Sequence, residues 1–192
     1  MSAQKPLVER ASELIGRPVV TLAGDDVAEV KDVVLGTRAG ELAGLTLNNR
    51  GMLKGPMHRM AEWDDIHALG ADAVLIADER DLDELADDRE AVGPTEEVTG
   101  LRVLTDDGNE VGAVTDAIVR LGRDAELVGY VIETGPHYPP AGRELLVRYD
   151  MATAVSDQAM ILPEETSRHV AEDLVGFTLL LDREGGSSHE AA

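Results

Sequence analysis

The sequence predicts a mainly β protein made of two copies of one small module, packed as a pseudo-twofold pair with short linking and C-terminal helices. Three observations predict it. The first is an internal repeat. Gly16 to Leu35 and Gly100 to Val119 align at an offset of 84, so Val19 meets Val103, Thr21 meets Thr105, Gly24 meets Gly108, Val30 meets Val114 and Asp32 meets Asp116. The second is patterning, since short β-branched runs are separated by Gly-Asp and Asp-Gly turn signals. The third is the core. Hydrophobic residues make up 43% of the chain, yet there are only one Phe, one Trp and three Tyr. A module of about 75 residues packed with aliphatic side chains alone is marginally stable, which favours two copies packing on each other.

In chain order, residues 1–15 read as an N-terminal arm, with Met1 to Arg10 disordered or loosely docked. Repeat 1 spans 16–78. Val19 to Leu22 is its first strand, and Ala23-Gly24-Asp25-Asp26 is a tight turn. The second strand carries Val30, Asp32 and Val34 on one face, matched by Val114, Asp116 and Ile118. Val27 and Val111 fall out of that phase, so a bulge or bend is expected near Ala28 and Gly112. An acid between two apolar residues on one face reads as a carboxylate accepting backbone N–H bonds at a bend. The alternative, a metal ligand or general base, needs a His or second carboxylate at a fixed spacing in both copies, and none accompanies it.

Strand three is Leu42 to Leu47 in the first copy and Leu127 to Glu133 in the second. The loops that follow, Asn48 to Arg59 and Thr134 to Arg143, both hold Gly-Pro and a His. Gly55, Pro56 and His58 in one, with Gly135, Pro136, His137 and Tyr138 in the other, are the candidate partner surface, because loops on a rigid scaffold often carry function. The copies resume at Met60-Ala61-Glu62-Trp63-Asp64 and Leu146-Val147-Arg148-Tyr149-Asp150. Trp63 and Tyr149 read as rings closing the core, with Asp64 and Asp150 capping the turns they enter.

Between the repeats, 79–97 reads as an acidic helical linker. Asp78 to Glu97 holds ten acidic residues against Arg80 and Arg89, and Leu82, Leu85, Ala86 and Arg89 have helical spacing. The Asp-x-Asp-x-Asp-Gly pattern of a calcium loop is missing. Repeat 2 spans 98–164. A helix opens at Pro163-Glu164-Glu165 and runs to about Leu174. Alternating Val175, Phe177, Leu179 and Leu181 then predict a strand, so 165–183 is a C-terminal helix and strand, and 184–192 a disordered tail. That strand is also the element through which a homodimer would form.

The formal charge is −21, from 38 acidic and 17 basic residues. This excludes a counterion-driven nucleic-acid binder and an anionic membrane surface as expected partners. There is no cysteine, so disulfides and thiol chemistry are excluded. No segment approaches a membrane span, and a cytoplasmic protein is expected. The five histidines, His58, His67, His137, His169 and His189, show no metal-ligand spacing. No catalytic residue, cofactor or metal ligand is assigned, and the expectation is a protein that is not an enzyme.

The module as a whole has an outline: Gly-x-x-Val, a Gly-Asp turn, Val-x-x-Val-x-Asp-Val-Val-Leu, a Gly-Leu-Thr-Leu strand, Trp-Asp-Asp-Ile and a closing Ala-Val-Leu-Ile. It resembles the PRC-barrel family, the domain shared by the cytoplasmic part of the photosynthetic reaction centre H subunit and the C-terminal half of a ribosome maturation factor. The resemblance covers about 16–78 and 98–164 and is closest to stand-alone prokaryotic members. It implies two tandem, strongly bent PRC-type β-barrels and an interaction module with no shared catalytic residues. The expected function is thus a non-catalytic adaptor with a protein partner. The alternative is an accessory factor in RNA processing or ribosome assembly, acting through basic ribosomal proteins.

Overall fold

A computed structural model describes residues 7–36, 40–50, 55–84, 93–122 and 125–185. The strands in chain order are β1 (Leu7–Arg10), β2 (Pro18–Thr21), β3 (Asp26–Leu35), β4 (Leu42–Asn49), β5 (Gly55–Glu62), β6 (Ile66–Leu69), β7 (Val74–Ile76) and β8 (Asp83–Glu84). They continue as β9 (Gly93–Pro94), β10 (Arg102–Thr105), β11 (Glu110–Leu121), β12 (Glu126–Thr134), β13 (Glu144–Arg148), β14 (Ala154–Val155) and β15 (Ala159–Leu162). One α-helix, α1 (Leu174–Gly185), follows. The protein is therefore mainly β, in two sheets.

The first sheet runs β6-β7-β2-β3-β4-β5-β8, with β9 added to β3. The second runs β14-β15-β10-β11-β12-β13, with β1 added to β11. Matched strands of the two repeats occupy matched places, including the parallel pairs β2–β7 and β10–β15. The chain forms two compact units with exchanged segments. Unit 1 holds residues 1–5, 10–96 and 121–127; unit 2 holds 6–9, 97–120 and 128–192.

The repeated sequence positions do repeated work. Gly24 and Gly108 have φ of +94° and +89°, and each N–H bonds the carbonyl of the Thr three residues earlier. Only glycine adopts that turn without steric cost. The expected bulges are present. Val19 pairs Ala28 but Val20 pairs Asp26, leaving Val27 as the extra residue; Val103 pairs Gly112 but Leu104 pairs Glu110, leaving Val111. A second shift between Val30 and Asp32 sets Asp32 at a bulge against β4. The two cores are aliphatic, with Val19, Val30, Leu45, Leu47 and Ile76 in unit 1 and Val103, Ile118, Val131, Leu146 and Met160 in unit 2, all fully buried or within 1% of it.

Several expectations are corrected. Leu7 to Arg10 is a strand, because its edge completes β11; residues 1–6 of the arm lie outside the described residues. Gly55-Pro56-Met57-His58 lies in β5, where Asn48 pairs Pro56 and Asn49 pairs Gly55; residues 51–54 of the expected loop lie outside the described residues. In the linker, Glu79–Asp81 is a 3-10 turn and Asp83–Glu84 a short strand on β5, since pairing with Arg59 and Met60 outweighs the helical spacing. Residues 85–92 of that expected helix lie outside the described residues.

At the C-terminus, Glu164–Arg168 is a 3-10 helix, and the strand expected over Val175 to Leu181 is α1. Asp173 caps it, its Oδ1 accepting the Gly176 N–H at 2.7 Å. The burial period is helical. Phe177 is fully buried and Leu174, Leu180 and Leu181 pack beside it, whereas Val175 is 73% exposed. The segment covers its apolar residues by docking Phe177 on Ile118, Val131 and Leu146, so it offers no edge strand for dimerisation. The tail from residue 186, His189 included, lies outside the described residues.

Candidate functional site

The two acids of the repeated strand are both buried. Asp32 is 3% exposed; its Oδ1 accepts the Val33 N–H at 2.7 Å and the Thr95 hydroxyl at 2.6 Å. Asp116 is 8% exposed and its Oδ1 accepts the Ala117 N–H at 2.9 Å. Each carboxylate holds its own strand at a bend, which is structural work.

Trp63 and Tyr149 both open 3-10 turns, Trp63–Asp65 and Tyr149–Met151, and both are half-buried. The Trp63 indole N–H donates to Gly122 O at 3.3 Å. Tyr149 packs on buried Tyr130, with ring centroids 6.1 Å apart. Burial, with a smaller contribution from Tyr149, pushes the Tyr130 phenol above its ordinary value. Asp150 is drawn to the Arg148 guanidinium beside it, and Asp64 is exposed on its turn. The turn-closing carboxylate is found after β7 instead. Asp78 accepts the Arg80 N–H at 3.0 Å while Asp78 N–H donates to Asp81 Oδ2 at 2.9 Å. The Arg80 side chain holds the Asp78 carboxyl well below the usual carboxylate range.

The two candidate loops part company. His58 is exposed on a strand of unit 1. Gly135 to Arg143 is a true loop in unit 2, and it is tied down at both ends. Thr134, 3% exposed, donates from Oγ1 to Pro140 O at 2.7 Å and accepts the Arg143 N–H at 2.9 Å. Gly135 N–H reaches Val111 O at 2.9 Å, Gly142 N–H reaches Thr134 O at 2.8 Å, and the Pro139-Pro140 peptide is cis. The loop presents exposed Pro136 and His137 and half-buried Tyr138.

His137 and Tyr138 form one wall of a cavity of about 330 Å³ within unit 2. Its inner lining is apolar, from buried Val111, Ile132, Leu145, Val147 and Leu162. Its polar lining comes from Thr105, Asp107, Asn109, Glu110, Glu164 and Thr166, with no Lys or Arg in the lining among the described residues. The β10–β11 turn is locked from within, because the Thr105 hydroxyl donates to Asp107 while Asn109 Nδ2 donates to Asp107 Oδ2 at 2.6 Å. Glu110 is paired with Arg102 at 2.9 Å. The Glu164 N–H is held by Asp106 Oδ1 at 3.0 Å, which fixes the following 3-10 turn. Thr166 and Val170 complete the site, and no local signal in the sequence distinguished them.

The strand order of unit 1, its bulged β3 and its Trp-Asp-Asp turn set the frame for comparison with known proteins. The profile of the PRC-barrel domain family matches residues 7–82. These residues are a PRC-barrel domain. No curated protein matches the chain. No described helix is long and apolar enough to cross a membrane.

In unit 1, carboxylate oxygens of Glu62, Asp65 and Asp83 lie within 4.8 Å of one another. Their spacing in sequence carries no metal motif, and β8 alone brings Asp83 to the other two. Asp65 and Asp83 are exposed, as acidic surface groups ordinarily are.

Proposed function

We infer that the protein is a non-catalytic binding module whose partner is a protein, engaged through the Gly135–Arg143 loop of unit 2. The observation that carries this reading is the loop's preorganisation. Thr134 fixes both of its ends, so Pro136, His137 and Tyr138 are presented with little ordering left to lose on binding. A PRC-barrel domain is often an interaction module, and unit 2 repeats its strand order; on that ground we read unit 2 as a second barrel of the same kind. The charge of −21 selects a basic partner and disfavours direct contact with nucleic acid or anionic membrane. Basic ribosomal proteins are one such class, so an accessory role in RNA processing or ribosome assembly is the second reading, in the same cytoplasmic setting.

The test is affinity purification of the tagged protein from its own cells at low and moderate salt, followed by direct binding of any captured partner in purified form. The expected result is one basic protein whose affinity falls at least about tenfold with Tyr138→Ala and weakens with salt. Recovery of ribosomal proteins that bind the purified chain would favour the second reading. No saturable partner at either salt would overturn both.

A further inference from the structure

The cavity of unit 2 opens beside the loop that carries the binding reading. Three of its lining side chains are apolar and half-buried, so part of their surface meets solvent. Each comes from a different part of the chain. Tyr138 stands on the Gly135–Arg143 loop, Pro163 follows β15, and Val170 precedes the bridge from Ala171 to Leu146. In unit 1 the residue in Val170's place is closed off. There Leu82 precedes Asp83, which pairs with Met60, and Leu82 is 3% exposed.

The size of the opening favours a side chain over a free molecule. Its volume of about 330 Å³ lies at the bottom of the range that takes organic ligands, about 300–1,000 Å³. A molecule small enough to fit bears the full cost of immobilisation on few contacts. A side chain delivered on a polypeptide draws further contacts from its flanks, and Thr134 holds the adjoining loop ready for them. Aromatic side chains are the common anchors of protein interfaces, because they fill a pocket with few rotors to freeze.

Charge selects the flanks. The chain has 38 acidic residues against 17 basic ones. Asp106, Asp107 and Glu110 are already engaged, by the Glu164 N–H, by Thr105 and Asn109, and by Arg102. They are therefore not free to seat an ion inside the cavity. The net charge acts at longer range instead, as a surface potential that draws basic groups and repels acidic ones.

We propose that the cavity seats one aromatic side chain of a protein partner, presented on an extended segment whose flanking residues are Lys or Arg. The ring rests against Tyr138, Pro163 and Val170. The proposal deepens the protein-binding reading of the Gly135–Arg143 loop and rests on it.

The test is an amide NMR titration of the full chain with three capped pentapeptides: Lys-Lys-Phe-Lys-Lys, Lys-Lys-Ala-Lys-Lys and Glu-Glu-Phe-Glu-Glu. Free 2-phenylethanol is the fourth probe. The first peptide is expected to give saturable shifts centred on Tyr138, Glu164 and Val170, with affinity at least about fivefold above the alanine peptide. The glutamate peptide shows no saturation up to about 10 mM. Added salt weakens both lysine peptides and leaves the ratio between them. Val170→Trp fills the opening and removes the preference for Phe over Ala. The proposal is overturned by equal affinity of the phenylalanine and alanine peptides, by shifts centred outside the cavity, or by no saturation of the first peptide up to about 10 mM. It is also overturned if phenylethanol binds as tightly as the first peptide, which would make the cavity a small-molecule site. The loop reading has its own readout, the effect of Tyr138→Ala on a purified partner, so the two fail separately. The peptide series needs only the wild-type chain, so it decides the matter even where a variant fails to fold.

Discussion

The Thr95 hydroxyl donates to Asp32 Oδ1 at 2.6 Å, joining two buried residues that lie 63 positions apart. The bond ties the segment after β9 to the bulge of β3, and the same oxygen holds the Val33 N–H. Asp32→Ala removes both of these bonds and is expected to cost about 2–3 kcal/mol; Thr95→Val costs about 1–2 kcal/mol. The double variant should fall short of the sum by at least about 1 kcal/mol, because both changes break one bond. Urea unfolding of the four proteins measures this, and strict additivity would show that the bond contributes nothing of its own.

Phe177 and Gly129 form the second point on which unit 2 depends. A Cβ on Gly129 would meet Phe177 Cζ at 2.4 Å and Val147 O at 2.5 Å. Gly129→Ala is therefore expected to destabilise by about 3 kcal/mol. Phe177→Ala removes a fully buried ring and should cost about 3–5 kcal/mol. In the Phe177→Ala background the Gly129→Ala penalty shrinks but persists, since the Val147 carbonyl stays in place. Thermal unfolding of the two singles and the double separates the ring clash from the backbone clash. A full loss of the penalty would place the whole effect on the ring.

These residues also show what was legible in the sequence and what was not. The repeat, the first strands with their turns, and the out-of-phase Val27 and Val111 were visible, because each is a local consequence of strand period and turn chemistry. The second loop, with His137 and Tyr138, was found through its Gly-Pro signal and does line the cavity. The same signal misplaced Gly55 to His58, because cross-strand pairing with Asn48 and Asn49 overrode it. α1 was misread because Val175, Phe177, Leu179 and Leu181 alternate, while the residues that decide its packing partners, Ile118 and Leu146, are remote in sequence. Val170 was invisible for a like reason: which residues border a cavity is a property of three-dimensional surroundings.

Tyr130 gives an alkaline prediction with a definite sign. Burial, aided by Tyr149, favours its neutral phenol in the fold and raises its titration above that of an ordinary tyrosine. The unfolded phenol loses its proton near about pH 10. Below that pH both states hold the proton and the contribution to stability is complete. As pH rises through the unfolded value towards the folded one, only the folded state holds it, so stability falls. Tyr130→Phe should flatten this loss. An ultraviolet titration, compared with that of Tyr130→Phe, should show the Tyr130 phenolate forming above the ordinary tyrosine value. A Tyr130 phenolate that forms at the ordinary value would contradict the argument.

The exchanged segments make a stronger claim about the chain as a whole. A cut after residue 97 divides the two repeats cleanly in sequence, but it does not divide the two units. The fragment 1–97 loses residues 121–127, which belong to unit 1. There Ala125 O accepts the Leu42 N–H at 3.2 Å, Leu127 N–H donates to Gly40 O at 2.7 Å, and Gly122 O accepts the Trp63 indole. The fragment 98–192 loses β1, and with it the strand that pairs with β11. It also keeps an unpaired edge, which invites association. Neither fragment is expected to unfold cooperatively by circular dichroism, and 98–192 should aggregate. Co-expression should restore a soluble pair, since each fragment carries the segment the other lacks. If 98–192 alone gave a cooperative transition matching the intact chain, β1 would be an ornament on unit 2 and the exchange would have no energetic meaning.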